Sequence, residues 1–142
     1  MPWAGLFTFV HVVALAGWAL LFLAPRSPRV ASYVLYLCVG MICLTYTVMF
    51  ASQLGSIAGG DFLSIEGIKA LFASDGGVVI GWTHYLAFDL FIGQWIAKDA
   101  DHKGFSRVAQ APILLLTLLA GPIGLLIWLV ARERRARASI RG

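Results

Sequence analysis

The sequence predicts an all-α integral membrane protein: four transmembrane helices in an antiparallel bundle, with a short interfacial helix in the middle loop. Composition is the first ground. Of 142 residues, 60% are hydrophobic and 13% charged, and the mean hydropathy is +0.84. A soluble domain carries about 25% charged residues, so this chain has too little polar surface to coat a water-soluble globule. Length is the second. A crossing helix needs about 20 mostly apolar residues, and four such runs stand at about 3–24, 30–53, 78–97 and 111–131. With no repeat, linker or low-complexity tract, residues 1–142 read as a single membrane domain.

The first run holds one His and no charge. No basic residue precedes it and it is too long for a signal-peptide core, so it reads as a true span. Pro25-Arg26-Ser27-Pro28-Arg29 ends it, and this short link makes spans one and two an antiparallel hairpin. Span two is free of charge. Its Cys38 and Cys43 lie about 140° apart around a helix and cannot bond to each other.

The middle connection, about Leu54–Gly77, is long. Ile65, Ile68, Leu71 and Phe72 follow helical spacing, which predicts an amphipathic helix at the interface over about Ser64–Ala73; an irregular loop is the alternative. Asp75-Gly76-Gly77 reads as a turn into span three. Span three is apolar but carries His84, Asp89 and Gln94. Span four has no charge before Arg132. Its Pro122 removes the backbone donor that would bond to Leu118, so a kink is expected there. Trp3 and Trp128 stand near span ends, as interfacial anchors do.

Four crossings put both termini on one side. That side holds six Lys and Arg against five on the other, a near tie under the positive-inside rule. The dense basic tail, 132–142, tips the expectation to cytoplasmic termini. The net charge of +4 and the pI near 9.4 come mostly from this tail. They suit anionic lipid headgroups rather than nucleic acid.

Charged groups in a bilayer core cost at least ~2.5 kcal/mol and face the bundle interior. Asp89 falls near the midplane, with Tyr85 and Trp82 on its face. His84 lies about 140° around the helix, with Phe88, Phe91 and Trp95. His11 on span one lies within about 3 Å of the depth of His84, so a layer of His11, Tyr46, His84 and, slightly deeper, Asp89 is geometrically open. The chemistry this pattern allows is acid–base work in an apolar groove. Asp89 as the acid donates a proton and His84 returns or relays it. His11, Tyr46, Tyr85, Trp82 and Phe88 are the candidate lining. The plainer alternative is that each is a satisfied core group. Asp99 and His102, three apart, form a candidate metal pair short of further ligands; a solvated face is the alternative. His11 and His84 as axial ligands of a haem-binding four-helix bundle is a further reading. These residues specify no cofactor.

The run Trp82-Thr83-His84-Tyr85-Leu86-Ala87-Phe88-Asp89-Leu90-Phe91-Ile92-Gly93-Gln94-Trp95-Ile96 is distinctive. With Asp99-Ala100, Gly104, Pro112, Leu116-Thr117-Leu118 and Gly121-Pro122-Ile123-Gly124-Leu125-Leu126, it resembles the small membrane-protein family of the plant abscisic-acid-deficient-four protein. Leu63–Phe72 fits as well. The likeness is close over about residues 40–131 and looser in span one. The plant member is a plastid membrane protein needed for converting violaxanthin to neoxanthin. The resemblance implies a membrane protein linked to carotenoid or isoprenoid metabolism, with an isomerase of a carotenoid-like substrate as one form. A non-enzymatic accessory or pigment-binding protein is the alternative. His84, Asp89 and Asp99 match the motif. The chain opens almost directly in span one, without a transit peptide, and reads as a bacterial inner-membrane member, so the plant substrate is not carried over. The expected partner is an apolar carotenoid-like molecule or lipid, and a homo-oligomer is left open.

Overall fold

The structure is a computed structural model. It describes the backbone of residues 1–57 and 60–141 and the side chains of 1–55 and 60–134. All regular structure among the described residues is helical. Helices α1 (Trp3–Leu23) and α2 (Pro28–Ser52) are long and apolar enough to cross a membrane. Helix α2 starts where Ser27 Oγ accepts the Val30 N–H at 3.2 Å, with Pro28 as its first residue, a position where the missing proline N–H costs nothing. It passes through a π-helical stretch, Tyr33–Val39. Cys38 is buried, Cys43 is exposed, and both are free.

After a short α3 (Leu54–Ile57), helix α4 (Ile65–Leu71) forms within the segment expected to be helical. Ser64 Oγ caps it by accepting the Gly67 N–H at 3.1 Å.

Helix α5 (Asp75–His102) is longer at both ends than the predicted 78–97. At its start Ser74 Oγ accepts the Gly77 N–H at 3.1 Å, and Asp75 occupies the first turn, where the helix dipole favours an acid. Asp75-Gly76-Gly77 is therefore helix and not the expected turn. At its end Gly104, at φ 68°, closes the helix, with the Phe105 N–H on the Ala100 carbonyl at 2.9 Å. This is the closure that glycine makes possible without a Cβ penalty.

Helices α1 and α5 run parallel. Trp3 packs on Gly76, Gly17 on Leu90 and Trp18 on Gly93; a Cβ on Gly76 would stand 2.9 Å from the Trp3 ring. Helix α2 runs antiparallel to both. Gln94 Nε2 donates to the Ala31 carbonyl near one end, Tyr46 meets His84 further along, and Met49 joins Val79 and Ile80 in a small core near the other end.

The fourth predicted span is corrected. Residues 111–131 are not one kinked helix but parts of two, α6 (Arg107–Leu119) and α7 (Gly121–Arg141). Thirteen residues of α6 rise only about 20 Å, short of the ~30 Å hydrocarbon core. Ala120 leaves the helical region at φ −155°, ψ 72°. Proline at 122 cannot supply the next N–H of the ladder, and the Ile123 N–H restarts it on the Ala120 carbonyl at 2.9 Å.

The chain then turns back. A Cβ on Gly124 would stand 2.7 Å from Thr117 Cα, although seven residues of continuous helix would separate them by about 10 Å. Further along α7, Trp128 Nε1 donates to Asp99 Oδ2 at 3.1 Å. Arg132 Nε pairs with the same carboxylate at 2.8 Å. Helix α7 thus returns to the end of α5 from which α6 departed. The two helices form a hairpin whose tip lies beside the middle of α5. The N-terminus, at Gly76, and Arg132, at Asp99, lie at opposite ends of the bundle, not at the same end as expected.

Candidate functional site

Helix α5 presents polar groups to two directions, as the 140° offset requires, and the structure gives each direction a different neighbour. On one side lies the hairpin tip. Asp89 is 6% exposed, and its carboxyl rests against Gly121, the first residue of α7. A Cβ there would come 2.6 Å from Asp89 Cγ. The positive end of the α7 dipole is thereby set against this carboxyl. Asp89 Oδ2 is buried and has no hydrogen-bond partner. Tyr85 interacts with the same carboxyl, and its hydroxyl donates to the Leu118 carbonyl at 3.4 Å. That carbonyl lies in the last turn of α6, where acceptors lose their helical partners.

Trp82, on the same flank, donates from Nε1 to His11 Nε2 at 2.8 Å. His11 Nδ1 lies 2.8 Å from the Phe7 carbonyl. Because Nε2 accepts, Nδ1 carries the proton and donates. Both ring nitrogens of His11 are therefore engaged.

On the other side His84 is exposed, with its ring centroid 5.8 Å from Tyr46 and 4.6 Å from Phe88. His84 opens on a cleft of about 240 Å³ between α2, α4 and α5. Tyr46, Phe50, Phe62 and Phe72 supply its aromatic walls. Gly81 lets the Phe72 ring approach α5, since a Cβ there would overlap it. From His84 an exposed stripe of Phe88, Phe91 and Trp95 continues along α5. It ends where the Arg132 guanidinium lies over Trp95, 5.6 Å from the ring centre.

This geometry corrects three expectations. The layer of His11, Tyr46, His84 and Asp89 is not formed: His11 turns to Trp82, and only Tyr46 and His84 meet. Asp89 and His84 do not share a site, so a direct relay between them is not built. A His11–His84 pair of haem ligands does not fit either, because the nitrogens of His11 are both taken. Phe88 lines the His84 side, and Trp82 and Tyr85 line the other. As for Asp99 and His102, Asp99 is committed to Arg132 and Trp128, and His102 Nδ1 to the Lys98 carbonyl at 2.7 Å. Among the described residues no group of three or more His, Cys, Asp or Glu stands together.

A polar network not anticipated from the sequence closes the end of the bundle near Arg132. Arg26 lies 3.8 Å from Asp101 and donates to Gln110 Oε1 at 3.2 Å, while Gln110 Nε2 donates to Asp101 Oδ1 at 2.7 Å. Burial lowers the Arg26 pKa from its ordinary value, and the neighbouring Asp101 carboxylate works the other way.

The architecture is that of a small all-helical protein with apolar helices of membrane-crossing length and a buried carboxyl at a helix break. A family model described as ABA DEFICIENT 4-like matches residues 5–128, and the chain belongs to this family. Neither a curated protein nor a solved structure matches it.

Proposed function

We propose that this chain is an integral membrane protein that binds a long isoprenoid of the carotenoid kind at the His84 face of α5 and isomerises it by proton transfer. The observation that carries the reading is the aromatic cleft with a single imidazole at its edge. An isoprenoid end group is apolar and bulky, and aromatic walls bury it without leaving polar groups unpaired. Among the described residues that line the cleft, only His84 and Tyr46 exchange protons. In the step, His84 gives a proton to one carbon of a double bond and the neighbouring carbon becomes cationic. The faces of Tyr46 and Phe50 attract that charge. A proton then leaves an adjacent carbon for His84. One double bond has moved and no co-reactant is consumed. Asp89, closed off by Gly121, acts in this reading as a positioning residue that seats the hairpin.

The membrane placement follows the same reading. Three helices, α1, α2 and α5, cross, while α6 and α7 enter and leave on one side. Backbone breaks at membrane depth are tolerated only where protein covers them, and Asp89 and Tyr85 cover this one. The hairpin end collects Arg26, Arg29, Lys98, Lys103, Arg107 and the five arginines from Arg132 onward, which is ten of the eleven Lys and Arg; Lys69 alone stands at the other. The near tie of a four-crossing chain becomes a strong bias, and the positive-inside rule puts the tail inside and the N-terminus outside. In a bacterial inner membrane the tail is cytoplasmic.

The test is incubation of the purified protein in nanodiscs with a cyclic carotenoid, followed by chromatography. The reading expects a product of unchanged mass, absent with His84→Gln. Binding without conversion supports the pigment-binding alternative, which draws on the same cleft. No binding at all overturns both.

A further inference from the structure

A second cavity, about 630 Å³, opens at the basic end between α1, α2 and α5, away from His84 and Asp89. Its inner walls are apolar, with Leu20, Leu21 and Leu35 among them, and its α5 side is a polar ladder. Gln94, Lys98 and His102 are spaced four apart, so they share one face and climb from the apolar depth to the rim.

Gln94 is 5% exposed. Its Nε2 donates to the Ala31 carbonyl at 2.6 Å, while its Oε1 is buried and without a partner. A buried acceptor left unpaired is costly and calls for a donor. Lys98, one turn nearer the rim, is exposed and enters no ion pair among the described residues. Arg26 and Asp101 also line the cavity, but they face each other at 3.8 Å and offset one another. The surplus charge is that of Lys98, with His102 beside it. The apolar route continues past Leu35 into an adjoining cavity of about 300 Å³ walled by Phe91 and Trp95.

We infer that this cavity binds the head of a single-chain phosphate amphiphile, with the phosphate at Lys98 and His102, a glycerol hydroxyl donating to Gln94 Oε1, and the chain running toward Phe91. Depth dictates this order. The acceptor lies deeper than the cation, so the ligand must carry its hydroxyl between phosphate and chain. A diacyl phospholipid has an ester there and no donor. The inference rests on the membrane placement above, which puts Lys98 and His102 at headgroup level, and not on the chemistry at His84.

Native mass spectrometry of the full chain in non-ionic detergent tests it with four probes: oleoyl lysophosphatidic acid, its analogue lacking the glycerol hydroxyl, mono-oleoylglycerol and inorganic phosphate. The expected result is retention of lysophosphatidic acid, with the deoxy analogue and mono-oleoylglycerol each weaker by about tenfold, the worth of one hydrogen bond to a well-placed group. Lys98→Gln should weaken lysophosphatidic acid by about the same factor while leaving mono-oleoylglycerol unchanged. Gln94→Leu should abolish discrimination against the deoxy analogue. If that variant does not fold, the analogue still reads the hydroxyl contact in the parent protein. Equal retention of lysophosphatidic acid and mono-oleoylglycerol, or no effect of Lys98→Gln, overturns the inference. Displacement by equimolar inorganic phosphate makes free phosphate the ligand and overturns the lipid half. Retention is read with His84→Gln as well, where it should persist, so failure here and failure of the isoprenoid reading are separable.

Discussion

The carboxyl of Asp89, midway along α5, rests against the backbone of Gly121 at the tip of the α6–α7 hairpin, with no room between them for a methyl group. This contact fixes where the chain turns back, and it brings a helix N-terminus to a buried acid. It also explains why a glycine opens α7.

Gly121→Ala should therefore destabilise the protein by about 1–3 kcal/mol, the usual cost of overpacking a tight site. The clash is specific to one partner. In an Asp89→Ala background the added methyl has space, and the double variant should be more stable than the sum of the two single losses implies. Thermal unfolding in detergent of the four proteins of this cycle checks it. Additive losses would separate Gly121 from Asp89.

The hairpin also makes a topological prediction. With Cys38 and Cys43 replaced by Ser, single cysteines at Ser27, Ser106 and Ser139 should label from one side of the membrane and a cysteine at Ser64 from the other. A four-crossing chain would put position 139 with position 64, so this one site decides between the two architectures.

Asp61 predicts an acid-sensitive entry to α4. Its carboxylate accepts from Ser64 Oγ and from the Leu63 N–H at 2.8 Å, and these bonds hold its pKa below the ordinary 3.8. A group depressed on folding stabilises above its unfolded value and loses that contribution as pH falls through the folded one. The cap should hold at neutral pH and open only below about pH 3.8, the unfolded carboxylate range. Protection of the Leu63 amide, read as its exchange relative to the intrinsic rate at each pH, should fall there, and Asp61→Asn should remove that pH-dependent fall.

The helices long and apolar enough to cross a membrane were legible because apolar length alone announces them, and the split of α5 into two faces was legible because 100° per residue separates His84 from Asp89. Direction was not legible. Residues 111–131 are apolar enough to cross, and Gly121-Pro122 marks a break, but hydropathy carries no sign for which way a helix leaves a break. Gly124 on Thr117, with Trp128 and Arg132 at Asp99, gives it. Residue counting gives a depth for His11, yet depth does not say which flank of α5 a neighbouring helix occupies, and α1 puts His11 on Trp82. The ends of α5 were misjudged because Ser74 makes helix out of an Asp-Gly-Gly segment that resembles a turn. The Gln94 cavity needs three helices at once, and no local signal marks it.

The central claim is that the two faces of α5 do different work: His84 serves the ligand and Asp89 seats the hairpin. Titration of a cyclic carotenoid into nanodisc-embedded protein, read by the shift of its visible absorption band alongside chromatography of the products, tests this in two variants side by side. The account predicts that Asp89→Asn binds and converts nearly as the parent does, because Asn keeps the shape against Gly121, whereas His84→Gln folds but loses conversion. Full conversion by His84→Gln together with loss in a normally folded Asp89→Asn would contradict it.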